Sequence, residues 1–371
     1  MYWFRMRGPV VATLAVYAGL MVLYVFKNGG HPCALLCAGS NRAGRPPYEA
    51  VTLSLGPNGY DGQFYYAIAR NPWRTHEGEL IDDPPGRHAR ILYPALCWLG
   101  SGGDRHLLFW VMPAVNLLAL AGLVGVGAWF AVRHGRSPWW GFALPPALNA
   151  GMPALHNLTD PLSTLAVFGL LAAWLAGADA RVLTACAAAA LLGREQNLAV
   201  VLILLAAGVS KRRYGVTAGL LASLVLWLGW VGVLRSWYGS WPFLGPQGNF
   251  DLPFAGMEYR WTHPGGNDHF SRRLSVILVA SMIHLTFEIG LAFYLAPWRR
   301  DRAVTLCMLA GVGLAFIAGT SIYCDFWSYT RVFVWLPMGI WLLGLRGRMS
   351  WPQVSLSPAF LWTLVAALRY V

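Results

Sequence analysis

The chain has 371 residues, 57% of them hydrophobic and 12% charged, with a mean hydropathy of +0.48. Soluble domains carry roughly 25% charged residues, so an ordinary soluble fold is excluded and a polytopic membrane protein is indicated. The net charge of +12 then reads as membrane topology, and no nucleic-acid-binding motif accompanies it.

Arg5 and Arg7 precede an apolar run over 9–26 that no small-residue cleavage site follows, so it reads as an uncleaved first helix. Further basic clusters flank later apolar runs: Arg133/Arg136, Lys211-Arg212-Arg213, Arg299-Arg300-Arg302 and Arg346/Arg348. Placing all five clusters in the cytoplasm satisfies the positive-inside rule. It predicts an all-α bundle of eleven transmembrane segments at 9–26, 107–132, 138–151, 157–176, 181–193, 196–210, 215–234, 274–296, 303–319, 332–345 and 354–370. Residues 27–106 and 235–273 become large outside loops. The segment 181–193 is about 20 Å of helix against a core of roughly 30 Å. Residues 181–210 are therefore expected to form a hairpin with Arg194 and Glu195 at its tip. The chain divides into an N-terminal module, 1–210, and C-terminal helices, 211–371. No internal repeat of the kind paired-repeat transporters carry is visible.

The six cysteines do not suggest a disulfide framework. Cys186 and Cys307 fall in apolar helices as small hydrophobes. Cys33 and Cys37 lie in the first loop near His31, where a disulfide is compatible with a location outside the cytoplasm, and a metal site there lacks ligands.

The first loop contains Gly59-Tyr60-Asp61-Gly62-Gln63-Phe64-Tyr65-Tyr66-Ala67-Ile68-Ala69-Arg70-Asn71-Pro72. Its two glycines allow a tight turn around Asp61. The pattern after Gly62 is helical, with Phe64, Tyr65 and Ile68 on one face and Gln63, Tyr66 and Arg70 on another. Asn71-Pro72 stops it. The expectation is a short amphipathic helix on a membrane surface, with Asp61 at its N-terminal end, where it also reads as a plain cap.

The predicted topology gathers the unusual polar residues on the outside. They are Asp61, Asp82, Asp83, Arg87, His88, Arg90 and Tyr93 in the first loop, and His156, Asn157 and Asp160 before the fourth segment. Arg194 to Asn197 form the hairpin tip, and Asp325 and Arg331 fall in the last outside turn. Each has a plainer use: Asp160 as a helix cap, Arg194 reaching to headgroups, His156 as a turn residue. Arg194 and Glu195 are adjacent and cannot face one another on a helix, so each needs its own partner. Taken together they form a carboxylate-and-arginine pocket at a lipid interface. Glycosyl transfer from a polyprenyl-phosphate sugar needs such a pocket: a carboxylate takes the acceptor's proton, and arginines stabilise the departing phosphate. The rings of Tyr65 and Tyr66 suit sugar faces.

Tyr60-Asp61-Gly62-Gln63-Phe64-Tyr65 resembles the Trp/Tyr-Asp-Gly-x-x-Tyr motif of the PIG-V-like mannosyltransferase branch of the GT-C superfamily of integral-membrane glycosyltransferases. Asn157-Leu158-Thr159-Asp160-Pro161-Leu162 is similar to that branch's polar turn before helix 4, where Glu is usual instead of Asp. Gly193-Arg194-Glu195-Gln196-Asn197 falls where the branch has an arginine-containing tip, though the residues after the arginine differ. Arg90-Ile91-Leu92-Tyr93-Pro94 looks like a stretch of uncharacterised bacterial membrane proteins that share Tyr-Asp-Gly-Gln-Phe-Tyr. The likeness covers roughly the first 200 residues and, beyond them, hydropathy alone.

The resemblance implies a GT-C-like bundle with an amphipathic first loop and inverting transfer. Asp61 would be the base, and Arg194 and Arg90 would hold the donor phosphate. Asp160 and Glu195 would hold the acceptor or a divalent cation, and Gln63, Tyr65, Tyr66, Tyr93 and His156 would contact substrate. The expected partners are a polyprenyl-phosphate sugar, a glycan, lipid or protein acceptor, and the bilayer. The expected location is a bacterial inner membrane with the site facing outward. The alternative is a transporter or flippase for a lipid-linked or anionic substrate, for which His284 and Glu288 are the best intramembrane candidates.

Overall fold

The computed structural model describes residues 2–76, 79–243, 249–263, 272–296, 301–323 and 331–347. Among these no strand forms, and the two isolated bridges, Ala38 with Gly59 and Phe250 with Ala318, join loops. Among the described residues three helices are long and apolar enough to cross a membrane, consistent with an integral membrane protein. They are α1 (Tyr2–Lys27), α5 (Leu108–Arg133) and α11 (Tyr214–Tyr238). Shorter apolar helices fill the spaces between them: α8 (Asp160–Ala176), α9 (Ala180–Gly193), α10 (Leu198–Ser210), α13 (Arg272–Leu295), α14 (Arg302–Ile317) and α16 (Trp335–Arg346). The expected segment 354–370 lies outside the described residues, as do Asp325, Arg299, Arg300 and Arg348.

The stretch expected at 138–151 is irregular and longer. A 3-10 turn (Pro138–Ala143) leads into α6 (Leu144–Ala147) and α7 (Gly151–Leu155). Pro145-Pro146 and Pro153 withhold backbone donors, so no continuous helix can form. The pieces nevertheless climb the height of α1, with Trp139 beside Gly8, Gly151 against Tyr17 and His156 against Tyr24.

The hairpin expected over 181–210 is present. Arg194 is extended (φ −164°, ψ 127°) and breaks α9 from a short turn, Glu195–Asn197, that leads into α10. A helix end leaves carbonyls unmatched. Here the Asn197 amide donates to the carbonyl of Ala190 (2.9 Å) and to Ser163 Oγ (3.0 Å), while its own oxygen accepts from Trp335 Nε1 (3.0 Å). Parallel to α9 runs α11, with Gly215 beside Ala180 and Ser223 Oγ donating to Thr184 O at 3.0 Å.

These contacts define two ends of the bundle. Arg133, the turn after α8, Lys211 and Arg213 meet at one, where Arg133 donates to Ala176 O and Arg213 to Ala178 O. The starts of α5, α8 and α10 and the ends of α1, α9 and α11 lie at the other. The first loop folds on that second end as α2 (Gly62–Arg70), α3 (Pro84–Ala89) and α4 (Leu92–Ser101).

One expectation is corrected here. The first loop does not lay an amphipathic helix on a surface, because every residue of α2 from Gly62 to Ala69 is buried. Tyr66 stacks between Phe109 and Tyr48, and Phe64, Tyr65 and Ile68 join Tyr93, Cys97 and Met112 in a core belonging to the loop. The polar face of α2 is covered by protein, so its period did not mark a lipid boundary.

Candidate active site

Two glycines place Asp61. Gly59 has φ +67°, and a Cβ there would stand 2.2 Å from Gly39 N. A Cβ on Gly62 would stand 2.1 Å from the carbonyl oxygen of His156. The Gly-Tyr-Asp-Gly turn is therefore wedged between the exit of α1 and the turn before α8, and only glycine permits both approaches. Between them, Tyr60 N donates to Cys37 O at 2.7 Å.

Asp61 occupies the cap position of α2 but makes no side-chain cap bond. Its carboxylate points instead to Arg87, which grips it through both terminal nitrogens at 2.9 Å each. Arg87 also holds Asp82 (3.0 and 2.9 Å) and lies over the Phe64 ring at 4.9 Å. Arg331, just before α16, approaches Asp61 at 4.0 Å and Asp160 at 3.5 Å. Burial alone would raise the Asp61 carboxyl, but Arg87 and then Arg331 outweigh it and hold it below the ordinary carboxylate value. The same pairing raises Arg87 against the opposing effect of its burial.

Arg194 and Glu195 each find a separate partner. Arg194 bonds Asp160, both side chains being nearly buried. Glu195 receives a two-pronged bond from Arg90 (3.0 and 2.7 Å), whose third nitrogen donates to Tyr65 Oη at 3.1 Å. The two residues expected to hold a phosphate are thus each paired with one carboxylate, and Arg90 also bonds a tyrosine. Among the described residues no three His, Cys, Asp or Glu side chains converge as a metal site.

A cavity of about 460 Å³ opens over this cluster. Its lining combines charged side chains (Asp61, Asp83, Arg90, Arg194, Glu195 and Arg331), polar ones (Gln196, Asn249 and Ser321) and apolar ones (Leu198, Trp227, Phe243, Phe250, Leu314 and Val332). Trp227 and Phe243 stack at 5.6 Å. The N-terminal module alone does not build the site, since Trp227, Phe243, Leu314 and Arg331 come from beyond residue 210.

The other expected contact residues take structural positions away from the cavity lining. Gln63 accepts from Gly39 N and donates to Asn58 O, Tyr66 donates to Arg105 O, and Tyr93 donates to Met112 O, all three side chains being buried. His156 is wedged between the rings of Tyr24 and Tyr60. Burial, then Arg331, lowers its pKa to about 4, so it is a neutral imidazole at pH 7. Cys37 Sγ lies 2.9 Å from His156 Nδ1 and 3.2 Å from Tyr24 Oη, and burial pushes this thiol up to about 12. Cys33 lies 3.7 Å from Thr52 Oγ1, and both cysteines are free, so the disulfide is not formed.

Arg87 and Arg331 had no assigned role in the sequence reading. No local signal singled them out: the first loop also carries Arg42, Arg45, Arg70, Arg74, Arg90 and Arg105 and is too long for the charge rule to apply. A second cluster pins α3 to α11. His88 Nε2 donates to Pro72 O (2.9 Å), its Nδ1 accepts from Tyr238 Oη (3.0 Å), and Trp230 Nε1 donates to His88 O (3.3 Å). Because His88 follows Arg87 directly, this pin sets where Arg87 stands.

No protein-family model matches the chain, and neither a curated protein nor a solved structure matches it.

Proposed function

We propose that the protein is an inverting glycosyltransferase of the GT-C type, using a polyprenyl-phosphate sugar as donor. The observation that carries this reading is a cavity lined by carboxylates and arginines together with aromatic and apolar side chains. A lipid phosphosugar likewise joins a charged part to an apolar one. Its phosphate and sugar suit Asp61, Arg90, Arg194 and Arg331, and the first isoprene units suit Trp227, Phe243 and Leu314.

In the proposed reaction an acceptor hydroxyl attacks the anomeric carbon. The new carbon–oxygen bond forms as the bond to the phosphate oxygen breaks, and that oxygen leaves with the electron pair. Asp61 takes the hydroxyl proton, a role that contributes typically 10²–10⁴-fold. The arginines stabilise the charge that grows on the leaving phosphate. Displacement in one step inverts the anomeric centre.

In this reading the chain crosses eleven times with its basic end in the cytoplasm, and the cavity faces the outer side of a cell-envelope membrane. The transport alternative rests on His284 and Glu288, which lie 3.6 Å apart in α13 and do not line the cavity. The test is transfer of radiolabel by the purified protein from a panel of synthetic polyprenyl-phosphate sugars to envelope-extract acceptors. Label in the acceptor supports the reading. No transfer from any donor, with lipid-linked sugar moved across vesicles, replaces it with transport.

A further inference from the structure

The charged groups around Asp61 form an unbroken alternating chain. Arg194 bonds Asp160; Asp160 faces Arg331 at 3.5 Å; Arg331 faces Asp61 at 4.0 Å; Arg87 holds Asp61 and Asp82 at 2.9 Å. Arg90 is matched by Glu195 in the same way. Each guanidinium on which a phosphate would rest already faces a carboxylate. An anion therefore enters by exchange: it takes a guanidinium, and a carboxylate gives one up, because an extra unpaired charge in so buried a cluster is costly.

The links of the chain differ in strength. Arg87 is held on two edges and packed on Phe64. Arg90 is held by a two-pronged bond, and Arg194 is bonded and buried. Arg331 is shared between two carboxylates at separations beyond a good charge-assisted bond, lies over the Tyr60 ring at 5.8 Å, and lines the cavity. Among these contacts its links to Asp61 and Asp160 are the loosest.

We propose that Arg331 is handed from the carboxylates of Asp61 and Asp160 to the phosphate of the donor, so that donor binding makes Asp61, still held by Arg87, a stronger base. This rests on the transferase reading of the site. Among the described residues, the charged groups facing Asp61 are Arg87 from α3, Arg90 between α3 and α4, Arg331 and, across it, Asp160 from α8; the nearby His156 is neutral. Losing a cation and gaining an anion both make a carboxylate more basic. Asp61 is then weakest as a base before the donor arrives and strongest afterwards. The donor precedes the acceptor, because only with the donor bound does an acceptor hydroxyl meet Asp61 as the stronger base.

Two measurements test the exchange. In pH profiles, kcat/KM for the donor reports the free enzyme and kcat reports the complex. The acid limb of kcat should lie about one pH unit above that of kcat/KM. Arg331→Gln should raise the donor KM about tenfold or more and move the kcat/KM limb upward until the two limbs meet. Arg331→Lys should keep them apart. Coincident limbs in the unaltered protein, or limbs that Arg331→Gln does not move, overturn the exchange and leave Arg331 a structural residue.

The second measurement needs no sugar transfer. Calorimetry of phytanyl phosphate binding to the protein in nanodiscs, near about pH 5, in buffers of different ionisation enthalpy, should show proton uptake that Arg331→Gln loses along with affinity. Equal binding by Arg331→Gln without uptake overturns the exchange, whatever the transfer assay shows. Uptake in a protein that transfers no sugar supports the exchange and overturns the transferase reading alone.

Discussion

At the basic end of the bundle, Arg133 lies over Trp129, Arg136 over Trp140, and Lys211 and Arg213 over Trp174, at 5.1 to 5.8 Å. Arg133 and Arg213 also donate to carbonyls at and just beyond the C-terminus of α8, where the helix dipole favours cations. At the opposite end, Arg87, Arg90, Arg194 and Arg331 all face carboxylates and are largely or fully shielded from solvent. The same residue type thus serves two purposes. Ring faces and helix ends anchor a cation that keeps most of its hydration, each contact contributing about 0.5–1 kcal/mol. The opposite cluster strips hydration from both signs, which by itself is a poor way to stabilise a fold. A charged cluster kept beside a cavity in a membrane protein marks a candidate functional site, and the proposed transfer is one use for it.

Truncating one arginine at each end sharpens that contrast most strongly. Arg194→Ala leaves Asp160 buried with Arg331 at 3.5 Å as its remaining counter-charge. The expected loss is about 3 kcal/mol, the lower end for a broken buried pair because Arg331 stays. Arg133→Gln, at an exposed position, should stay within about 0.5 kcal/mol. Unfolding in mixed micelles measures both, and equal losses would mean that the two ends do not differ as described.

A smaller effect follows from the pin between α3 and α11. His88 is held neutral by burial, its pKa lowered to about 3. In the unfolded chain it titrates near about 6.5, so the unfolded state binds the extra proton between these values and stability falls as pH drops through that window. Amide protection factors over α3, which correct for the intrinsic pH dependence of exchange, should fall between about pH 6.5 and pH 3, with those of the basic end unchanged. Uniform loosening of both ends would remove His88 as the cause.

Hydropathy made the helices legible, because a length of apolar residues between basic clusters has few other uses. The need of Arg194 and Glu195 for separate partners was also legible, since adjacent helical residues point apart. The partners were not: Asp160 lies 34 residues and Arg90 105 residues away. The Asp-Gly turn was visible as a turn, whereas the reason for Gly62 is a contact with His156 O that no local pattern encodes. The tyrosines allow two readings for a physical reason. An amphipathic ring suits a sugar, but it suits a buried site equally when a backbone carbonyl meets the hydroxyl, as Arg105 and Met112 do for Tyr66 and Tyr93. Period alone also missed that the loop has a core of its own, because a helix covered on its polar side by protein has the same pattern as one covered by headgroups.

The most direct test of the account compares Asp61→Asn with Arg133→Gln and the unaltered protein in the sugar-transfer assay. Asparagine preserves the shape of Asp61 and removes its basicity. The account predicts that Asp61→Asn loses about 10²–10⁴-fold in kcat, while Arg133→Gln transfers sugar as the unaltered protein does. Full transfer by a folded Asp61→Asn protein would contradict the assignment of the base and, with it, the chemical purpose given to the charged end of the bundle.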